Sequence, residues 1–331
     1  MNILIVRLSS LGDVVHNMPM VADILRHYPD AKIDWVVEEA YTSLVRLNPG
    51  VRKRIPIALR RWRKSLFSAA TRAEMKVFWQ TLRQESYDIV FDTQGLFKSG
   101  LVMQMARLQP NGKRVGLANG TEGSGYEGVS RIFHTMSVPV DLHTHAVHRA
   151  RLVTAGALAY RVDTAADFSL QKPVVSTPCL PTEPYVVFFH GTAGASKQWA
   201  SENWVQLGIL MVARGMPILL PWGSDAEKRA AESLAAHIPN ARVLPKLSMM
   251  DAVALAHGAA LVVGVDTGLT HIAAAYMRPT IELYCDSPRW KTEGNWSENI
   301  INLGEIGQPP SVGQVYAAIE GLLSVPTDAL R

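Results

Sequence analysis

The fold class is decided by residues 2–27, NILIVRLSSLGDVVHNMPMVADILRH. The stretch opens with an apolar run at 2–8, which predicts a buried strand because continuous short runs of Ile, Leu and Val are typical of parallel sheets. The serines and the glycine at 9–12 predict a turn. Apolar residues near helical spacing at 14–27 predict a helix. The chain therefore begins with the strand–turn–helix unit of an α/β protein.

The same alternation continues along the rest of the chain. Short apolar runs alternate with helical patterns, which predicts parallel sheets covered by helices. No internal repeat of short period is present, and this argues against a solenoid. Further strands are predicted at 32–37, 88–91, 114–117, 185–189, 217–220, 241–244, 260–265 and 280–284. Further helices are predicted at 71–84, 98–107, 141–158, 201–213, 225–237, 249–257, 269–277 and 311–323.

The pattern falls into two halves separated by a proline-rich stretch. We expect two Rossmann-like domains, at 1–170 and 185–310, that face each other across a cleft. A linker is expected at 171–184, where four prolines interrupt the pattern and periodicity is weak. A last helix is expected at 311–331, where it could pack back on the first domain. Doubly wound sheets bind ligands at the carboxyl ends of their strands, so each domain is expected to hold one substrate. The four prolines are Pro173, Pro178, Pro181 and Pro184.

The composition limits the classes to which the protein can belong. The chain has 331 residues, of which 48% are hydrophobic and 19% charged, as is ordinary for a globular protein of about two domains. Its two cysteines, Cys179 and Cys285, are too few for a disulfide framework and predict reduced thiols. No signal-peptide pattern and no apolar stretch of about 20 residues is visible. We therefore expect a cytoplasmic protein, or one that lies on the cytoplasmic side of a membrane.

One segment is strongly basic although the net charge is only +4. Between Glu39 and Glu74 there is no acidic residue. A solvated basic face is one interpretation; a site for an acidic partner is the other, which the charge density and the interleaved Trp62 and Phe67 favour at least as much. A nucleic-acid site is disfavoured, because the charge is confined to one segment without a recognised motif. The basic residues are Arg46, Arg52, Lys53, Arg54, Arg60, Arg61, Arg63, Lys64 and Arg72.

The first candidate for chemistry is Asp13, at the end of the turn. Gly12 permits a tight turn and a close approach of a ligand. Asp13 follows at the start of the first helix, where a carboxylate caps free backbone N–H groups. This position is also the ligand-facing edge of a parallel sheet, so the carboxylate is placed to act as a general base. The residues alone favour the cap and leave the base open.

A second candidate is DTGLTH at 266–271, which follows a strand and opens a helix. The free N–H groups and the dipole of a helix N-terminus favour a diphosphate there. Capping by Asp266 or Thr267 is the alternative. The position of Gly268 just after a strand end shifts the balance modestly toward phosphate binding.

Two further loops follow strands in the second half. The loop HGTAGASKQW at 190–199 combines small residues with Lys197, which suits a phosphate, although the spacing of a P-loop is absent. Trp199 is expected in the core. Glu227 is placed either to accept hydrogen bonds from a ribose or an amine, or to act as an ordinary first-turn glutamate, which is the stronger interpretation on physics alone. No metal-ligand spacing is present, so no metal site is predicted.

Six stretches of this chain also resemble a known family. They are ILIVRLSSLGDVVH at 3–16, DWVVEE at 34–39, PIALRRWRK at 56–64, DTQGLFKS at 92–99, LPWG at 220–223 and VDTGLTH at 265–271. Together they resemble the lipopolysaccharide heptosyltransferases, inverting glycosyltransferases of the GT-B fold, over nearly the whole chain. The resemblance implies an N-terminal domain for the acceptor and a C-terminal domain for an ADP-sugar. Two of the stretches resemble the members that transfer heptose from ADP-L-glycero-β-D-manno-heptose to Kdo of Kdo2-lipid A.

The resemblance also implies roles for individual residues. Asp13 corresponds to the catalytic base. The implied donor-binding residues are Thr192, Ala193, Lys197, Glu227, Leu247, Asp266, Thr267, Gly268 and His271. The implied acceptor-binding residues are Ser10, Gly12, Arg60, Arg61, Arg63 and Lys64, whose charges suit the Kdo carboxylate and the lipid A phosphates. The family often has two adjacent threonines in the donor loop, and Ala193 at the second position removes one expected hydrogen bond.

The implied partners are the ADP-heptose donor, the Kdo2-lipid A acceptor and the cytoplasmic face of the inner membrane, with no nucleic acid. The scheme requires no cofactor; Mg²⁺ is compatible with it but is not implied by the sequence. One alternative is another transferase of the family, such as one whose acceptor already bears a heptose. The other is a non-catalytic module that binds nucleotides or glycans, against which the joint presence of Asp13 and Lys197 argues.

Overall fold

The computed structural model describes residues 1–174 and 180–324. The chain divides into two units, Met1–Gln171 and Lys172–Arg331, each with its own parallel sheet. The division falls at the start of the expected linker, of which 175–179 lie outside the described residues, as does Cys179. None of the described helices is both long and apolar enough to cross a membrane.

The first unit is built on six parallel strands. They are β1 (Asn2–Val6), β2 (Lys32–Glu38), β3 (Val51–Ile57), β4 (Ser86–Asp92), β5 (Arg107–Leu117) and β6 (Met136–Val138). Their order in the sheet is β3-β2-β1-β4-β5-β6. The order reverses between β1 and β4, and at such a switch point a doubly wound sheet binds its ligand. β1 lies at the centre with Ile3 to Val6 fully buried, which explains its continuous apolar run.

Seven helices cover this sheet. They are α1 (Leu11–His16), α2 (Met18–His27), α3 (Thr42–Val45), α4 (Leu59–Trp62), α5 (Ala69–Leu82), α6 (Phe97–Met105) and α7 (Ala146–Leu158). The single helix predicted at 14–27 is wrong, because α1 and α2 are separated at Asn17. Pro19 lies in the first turn of α2, where its missing N–H costs no helical hydrogen bond.

The edge strand β3 is hidden in the basic run. Its apolar residues Val51, Ile55 and Ile57 are buried, and three basic residues separate Val51 from Ile55. Arg52 donates two hydrogen bonds, of 2.9 and 2.8 Å, to the buried carboxylate of Asp34 on β2. Part of the basic run is therefore structural. The sequence pattern predicts no strand here, because three consecutive basic residues interrupt the apolar alternation.

The second unit repeats the plan of the first. Its strands are β7 (Val186–Phe189), β8 (Ile218–Leu220), β9 (Ala241–Val243), β10 (Leu261–Val265), β11 (Thr280–Tyr284) and β12 (Ile300–Gly304). Their order in the sheet is β12-β11-β10-β7-β8-β9. If the strands of each unit are numbered from its own first strand, the two sheets have the same strand order. Its helices are α8 (Ser201–Val212), α9 (Asp225–Ala235), α10 (Met249–Gly258), α11 (Gly268–Ala275) and α12 (Val312–Ser324). The switch point lies between β7 and β10, and the expected α/β class is confirmed.

The core of the second unit includes the last helix. Val315 and Ile319 of α12 are fully buried in a cluster with residues of α8 and of the sheet. The apolar face of α12 therefore packs within the second unit. The sequence had allowed this helix to pack on the first domain. Trp199 is 3% exposed and packs edge-on against Trp204 at 5.1 Å, as expected for a core residue.

Candidate functional site

At the switch point of the first sheet, two buried arginines hold Asp13. Arg7 directly follows β1, and its Nη2 lies 2.6 Å from Oδ1 of Asp13. Arg149, on α7, approaches the same oxygen at 3.7 Å. The arginine side chains are only 4% and 8% exposed, whereas the Asp13 side chain is 32% exposed. The carboxylate is therefore accessible, and its counter-charges are fixed behind it.

The second carboxylate oxygen of Asp13 is held by Ser10. The Ser10 backbone N–H and hydroxyl donate to Oδ2 at 3.0 and 2.7 Å, so Asp13 also caps the start of α1. Burial acts to raise the pKa of Asp13, but Arg7, the Ser10 hydrogen bonds and Arg149 outweigh it and lower that pKa well below its usual range. The cap and the candidate base are thus the same residue, and it is ionised at neutral pH.

The neighbouring strand ends in a buried acid, Asp92, that the sequence reasoning did not single out as a site residue. One of its oxygens accepts hydrogen bonds from the backbone N–H groups of Gln94 and Gly95, at 2.9 and 3.1 Å. The other accepts from the Ser99 hydroxyl at 3.0 Å. Burial raises the pKa of Asp92 to about 6 despite these bonds. Asp92 therefore shapes the turn after β4, and Arg7 donates to the adjacent Thr93 carbonyl at 2.6 Å.

Arg61, one of the acceptor candidates, is already paired. Its guanidinium donates to Glu39 at 3.1 and 3.0 Å and to Glu74 at 2.9 Å. These are the two acidic residues that bound the acid-free interval of the sequence. The hydrogen bonds from both carboxylates raise the pKa of Arg61 further. Arg61 therefore ties α4 to the residue that follows β2 and to α5.

The other three basic candidates are differently placed. Arg60 lies over the ring of Tyr41, at 5.5 Å from its centroid, and its backbone N–H donates to Glu38 at 3.1 Å. Arg63 and Lys64 are exposed at the end of the run, and no ion pair holds their side chains within the described residues. Arg63 and Lys64 are thus the candidates that have no anion of their own.

In the second unit, Asp266 is the centre of the candidate donor site. It directly follows β10, and its Oδ2 lies 2.6 Å from Nζ of Lys197. Its Oδ1 lies 3.0 Å from Nε2 of His271, and its carbonyl accepts a 3.3 Å hydrogen bond from the Thr192 hydroxyl. Burial acts to raise the pKa of Asp266, but His271 and Lys197 lower it well below its usual range. Four residues expected in the donor site are therefore brought together.

A buried glutamate, missed in the sequence, completes this cluster. Oε1 of Glu282 lies 3.0 Å from Nδ1 of His271, and Oε2 accepts hydrogen bonds from the Tyr284 hydroxyl at 3.0 Å and the Gly294 backbone at 2.9 Å. Burial acts to lower the pKa of His271, but Glu282 and Asp266 raise it to about 10. The imidazole is therefore a cation that donates from both nitrogens. An acid inside the apolar run at 280–284 was the available signal.

The helix that follows Asp266 is not capped by the side chain of Asp266 or Thr267, which was the alternative to phosphate binding. Thr267 is the N-cap of α11 but accepts no capping hydrogen bond through its side chain, and both oxygens of Asp266 are engaged by Lys197 and His271. The N–H groups beginning at Gly268 thus remain available to a ligand. Two other residues were expected in the donor site. Ala193 is exposed in the loop that carries Lys197, and Leu247 is half-buried just before α10.

Glu227 caps its own helix. Its Oε2 accepts hydrogen bonds from the backbone N–H groups of Gly223 and Ser224, at 2.7 and 3.0 Å, and its own N–H donates to the Ser224 hydroxyl at 3.3 Å. This is the reciprocal arrangement of a capping box. The carboxylate also lies against Gly191, where a Cβ would come within 2.9 Å of it. The capping interpretation is thus observed, and Gly191 lets the donor loop approach.

The first unit provides an accessible, ionised carboxylate, and the second provides two cations, Lys197 and His271, paired with two acids beside the start of α11. Such groups suit removal of a proton and stabilisation of a leaving diphosphate. In 1–174 and 180–324, no group of three or more His, Cys, Asp or Glu side chains is placed to hold a metal ion.

Comparison with known proteins identifies the family. Residues 75–318 match the model of glycosyltransferase family 9 (heptosyltransferase). The chain belongs to this family. Lipopolysaccharide heptosyltransferase 1 of Pseudomonas aeruginosa is 39% identical over 285 residues, which are 86% of this chain and 78% of the relative. Lipopolysaccharide heptosyltransferase 2 of Escherichia coli is 26% identical over 306 residues, 86% of this chain and 82% of the relative.

Solved structures of a family member agree with this assignment. The E. coli heptosyltransferase WaaC with ADP has a TM-score of 0.84 and 33% identity, covering 97% of this chain and 100% of that one. The same enzyme with ADP-2-deoxy-2-fluoro heptose has a TM-score of 0.79 and 34% identity, covering 97% and 99%. The protein is a glycosyltransferase of the GT-B fold, as the resemblance implied.

Proposed function

We propose that the protein transfers L-glycero-D-manno-heptose from ADP-heptose to Kdo of Kdo2-lipid A, with inversion, at the cytoplasmic face of the inner membrane. The observation that carries the proposal is the accessible, ionised carboxylate of Asp13 at the switch point of the first sheet. The greater identity to heptosyltransferase 1 than to heptosyltransferase 2 favours Kdo as the acceptor.

The reaction is a single displacement at the anomeric carbon. The acceptor hydroxyl oxygen forms the new bond to this carbon as the bond to the ADP oxygen breaks, and the electron pair of that bond leaves with ADP. Asp13 accepts the hydroxyl proton. Its lowered pKa makes Asp13 a weak base, so the contribution comes chiefly from position, and positioned base catalysis is typically worth about 10²–10⁴-fold.

On the donor side, Lys197 and the start of α11 are proposed to stabilise the leaving diphosphate. Lys197 is bound to Asp266 at 2.6 Å in the present structure and is 38% exposed. When the donor binds, the Lys197 ammonium is proposed to exchange the Asp266 carboxylate for a phosphate oxygen. The ammonium then has an anionic partner both before and after donor binding. The hydrogen bonds that Asp266 and Thr192 then offer are proposed to orient the heptose and the diphosphate.

On the acceptor side, Arg60, Arg63 and Lys64 are proposed to bind the Kdo carboxylate and the lipid A phosphates. The guanidinium of Arg60 lies over the Tyr41 ring and the residue is exposed, and arginine suits bidentate contact with a carboxylate. Arg61 is proposed to support this surface through its pairs with Glu39 and Glu74. Ser10 and Gly12 lie beside Asp13 and are proposed to border the acceptor hydroxyl.

The test is release of ADP from ADP-heptose with and without Kdo2-lipid A. We expect release that depends on the acceptor and is lost in Asp13→Ala. Asp30→Ala, which removes an exposed carboxylate of the same unit, is the matched control and should behave as wild type.

Two other outcomes would replace the proposal. Release only with an acceptor that already bears a heptose would assign the protein to a later transfer in the family. Binding of ADP-heptose with no release on either a Kdo-terminated or a heptose-bearing acceptor would favour a non-catalytic module, the alternative from the other functional class.

A further inference from the structure

Two large apolar side chains project from the segment between α4 and α5. Phe67 is 90% exposed and Leu66 is 47% exposed. Phe67 has the largest exposed fraction among the large apolar residues in the described parts of the chain. Neither residue belongs to the groups assigned above to donor or acceptor binding. Adjacent exposed apolar residues on an ordered loop are characteristic of a surface that meets a partner.

The segment that carries them is anchored at both ends. Trp62, just before it, is 4% exposed, and its indole N–H donates to Glu74 at 2.7 Å. At the other end the Ser68 hydroxyl caps α5 by accepting from the Thr71 N–H at 3.1 Å. The Ser65 and Thr71 hydroxyls lie 3.0 Å apart. Leu66 and Phe67 are therefore held outward by a fixed turn.

The charge around this apolar tip has one sign. Residues 60–83 contain seven basic residues and a single acidic one, Glu74. Glu74 is already bound by Arg61 and Trp62. Basic side chains flank the tip on the loop and on the first turns of α5, and all of them are exposed: Arg63, Lys64, Arg72 and Lys76.

The same face continues along α5 in a pattern typical of a lipid–water interface. Positions 72, 76, 79 and 83 share one side of the helix by their spacing. Trp79 is 45% exposed, and the Arg83 guanidinium lies 4.9 Å from its ring centroid. Phe78 and Leu82, on an adjacent side of the helix, are buried in the core. Tryptophan with lysine or arginine is enriched where a protein contacts lipid head groups.

We propose that Leu66 and Phe67, with Arg72 and Lys76, form a docking surface for an anionic lipid bilayer, beside the proposed acceptor residues Arg63 and Lys64. The apolar tip enters the acyl region and the basic residues meet the lipid phosphates. An acidic protein or a nucleic acid would use the charge but would leave the two apolar side chains without an apolar contact. The inference rests on the proposed location at the inner membrane and names the element that produces it.

The experiment is sedimentation of the full chain with vesicles, without donor or acceptor. Vesicles of phosphatidylethanolamine with phosphatidylglycerol are compared with vesicles of phosphatidylcholine, at low and at high salt. We expect binding to the anionic vesicles only, weakened by salt because exposed charges are screened. Phe67→Ser is expected to lower the affinity about tenfold or more, since it removes a large apolar group from the acyl region.

Matched variants keep the result specific. Ile306→Ser replaces a residue of the second unit that is 53% exposed and should bind as wild type. Phe67→Trp should restore binding. Equal affinity of Phe67→Ser and wild type, or equal binding of wild type to neutral vesicles, would overturn the inference.

Transfer to a deacylated, Kdo-terminated acceptor separates this inference from the proposed function. Phe67→Ser should retain that transfer, because the soluble acceptor needs no bilayer. If the wild type transfers heptose but does not bind anionic vesicles, the proposed function stands and the docking surface is refuted. If it binds anionic vesicles but does not transfer heptose, the docking surface stands and the proposed function is refuted.

Discussion

The two switch points hold their acidic residues in different ways. Asp13 is paired with Arg7, whose side chain is 4% exposed and also bonded to the Thr93 carbonyl, so this counter-charge is fixed. Asp266 is paired with the buried His271 and also with Lys197, which is 38% exposed on a flexible stem. The first pair keeps a carboxylate ionised and in place. The second pair includes a half-exposed cation. Under the proposed function, the first pair fixes the base and the second allows Lys197 to exchange Asp266 for a phosphate oxygen.

The largest effect expected from this comparison is on Asp13. Asp13→Asn keeps the side-chain shape and an oxygen for Ser10 but removes the base. We expect a loss of about 10²–10⁴-fold in kcat with the Kd of ADP-heptose unchanged. Steady-state kinetics with calorimetric donor binding measures both. Asp266→Asn should instead weaken donor binding, and equal effects of the two variants on the donor Kd would break the comparison.

Removal of Lys197 is expected to have the next largest effect. Lys197→Ala removes the cation proposed to meet the leaving diphosphate, and loss of one such preorganised donor typically costs about 10²–10³-fold. The kcat/KM for ADP-heptose should fall by this amount. Lys197→Arg keeps a cation and should recover part of it. An alanine variant with unaltered kcat/KM would confine Lys197 to its pair with Asp266.

A smaller effect, with a distinct pH signature, is expected for Glu282. Glu282→Gln leaves His271 with only one carboxylate, so the pKa of His271 should fall from about 10. We expect a loss in donor affinity of about tenfold or less, since the amide oxygen of glutamine can still accept from His271 and only the charge that holds its proton is removed. NMR titration of His271 gives its pKa directly, and a titration unchanged in Glu282→Gln would contradict the assignment.

Protein stability provides an independent check on the same pair. The folded protein holds the His271 proton up to about pH 10, whereas an unfolded histidine releases it near its ordinary value of 6.5. The contribution of His271 to the free energy of unfolding is therefore complete below about pH 6.5 and is lost as the pH rises through 10. Urea unfolding across this range should show a smaller decline in Glu282→Gln than in wild type.

The smallest effect is expected for Glu227. Glu227→Gln keeps an oxygen for the N–H groups of Gly223 and Ser224, so the cap of α9 should persist. We expect a change of about threefold or less in the KM for ADP-heptose, and a larger change for Glu227→Ala, which loses the cap. A large effect of the glutamine variant on KM would show that the negative charge itself contacts the donor.

The sequence predicted the elements that make the site but not their partners. β1, β10 and the turns after them follow from local apolar runs and glycines, so Asp13 and Asp266 could be found at strand ends. Arg149 reaches the site from α7, distant in sequence, and no local pattern identifies it; the signal for Glu282 was an acid inside an apolar run. The strand β3 was missed because its buried alternation is interrupted by basic side chains that pair elsewhere, as Arg52 does with Asp34.

The break at Asn17 has a consequence for the entropy of the reaction. The Asn17 side chain is buried and donates to the Asp13 carbonyl at 2.7 Å, while the Val14 N–H binds the Ser10 carbonyl at 2.9 Å. The backbone of Asp13 is thus held from both sides, as its carboxylate is by Ser10 and Arg7. Its conformational freedom is given up when the chain folds, so little ordering of the proposed base remains to oppose each turnover.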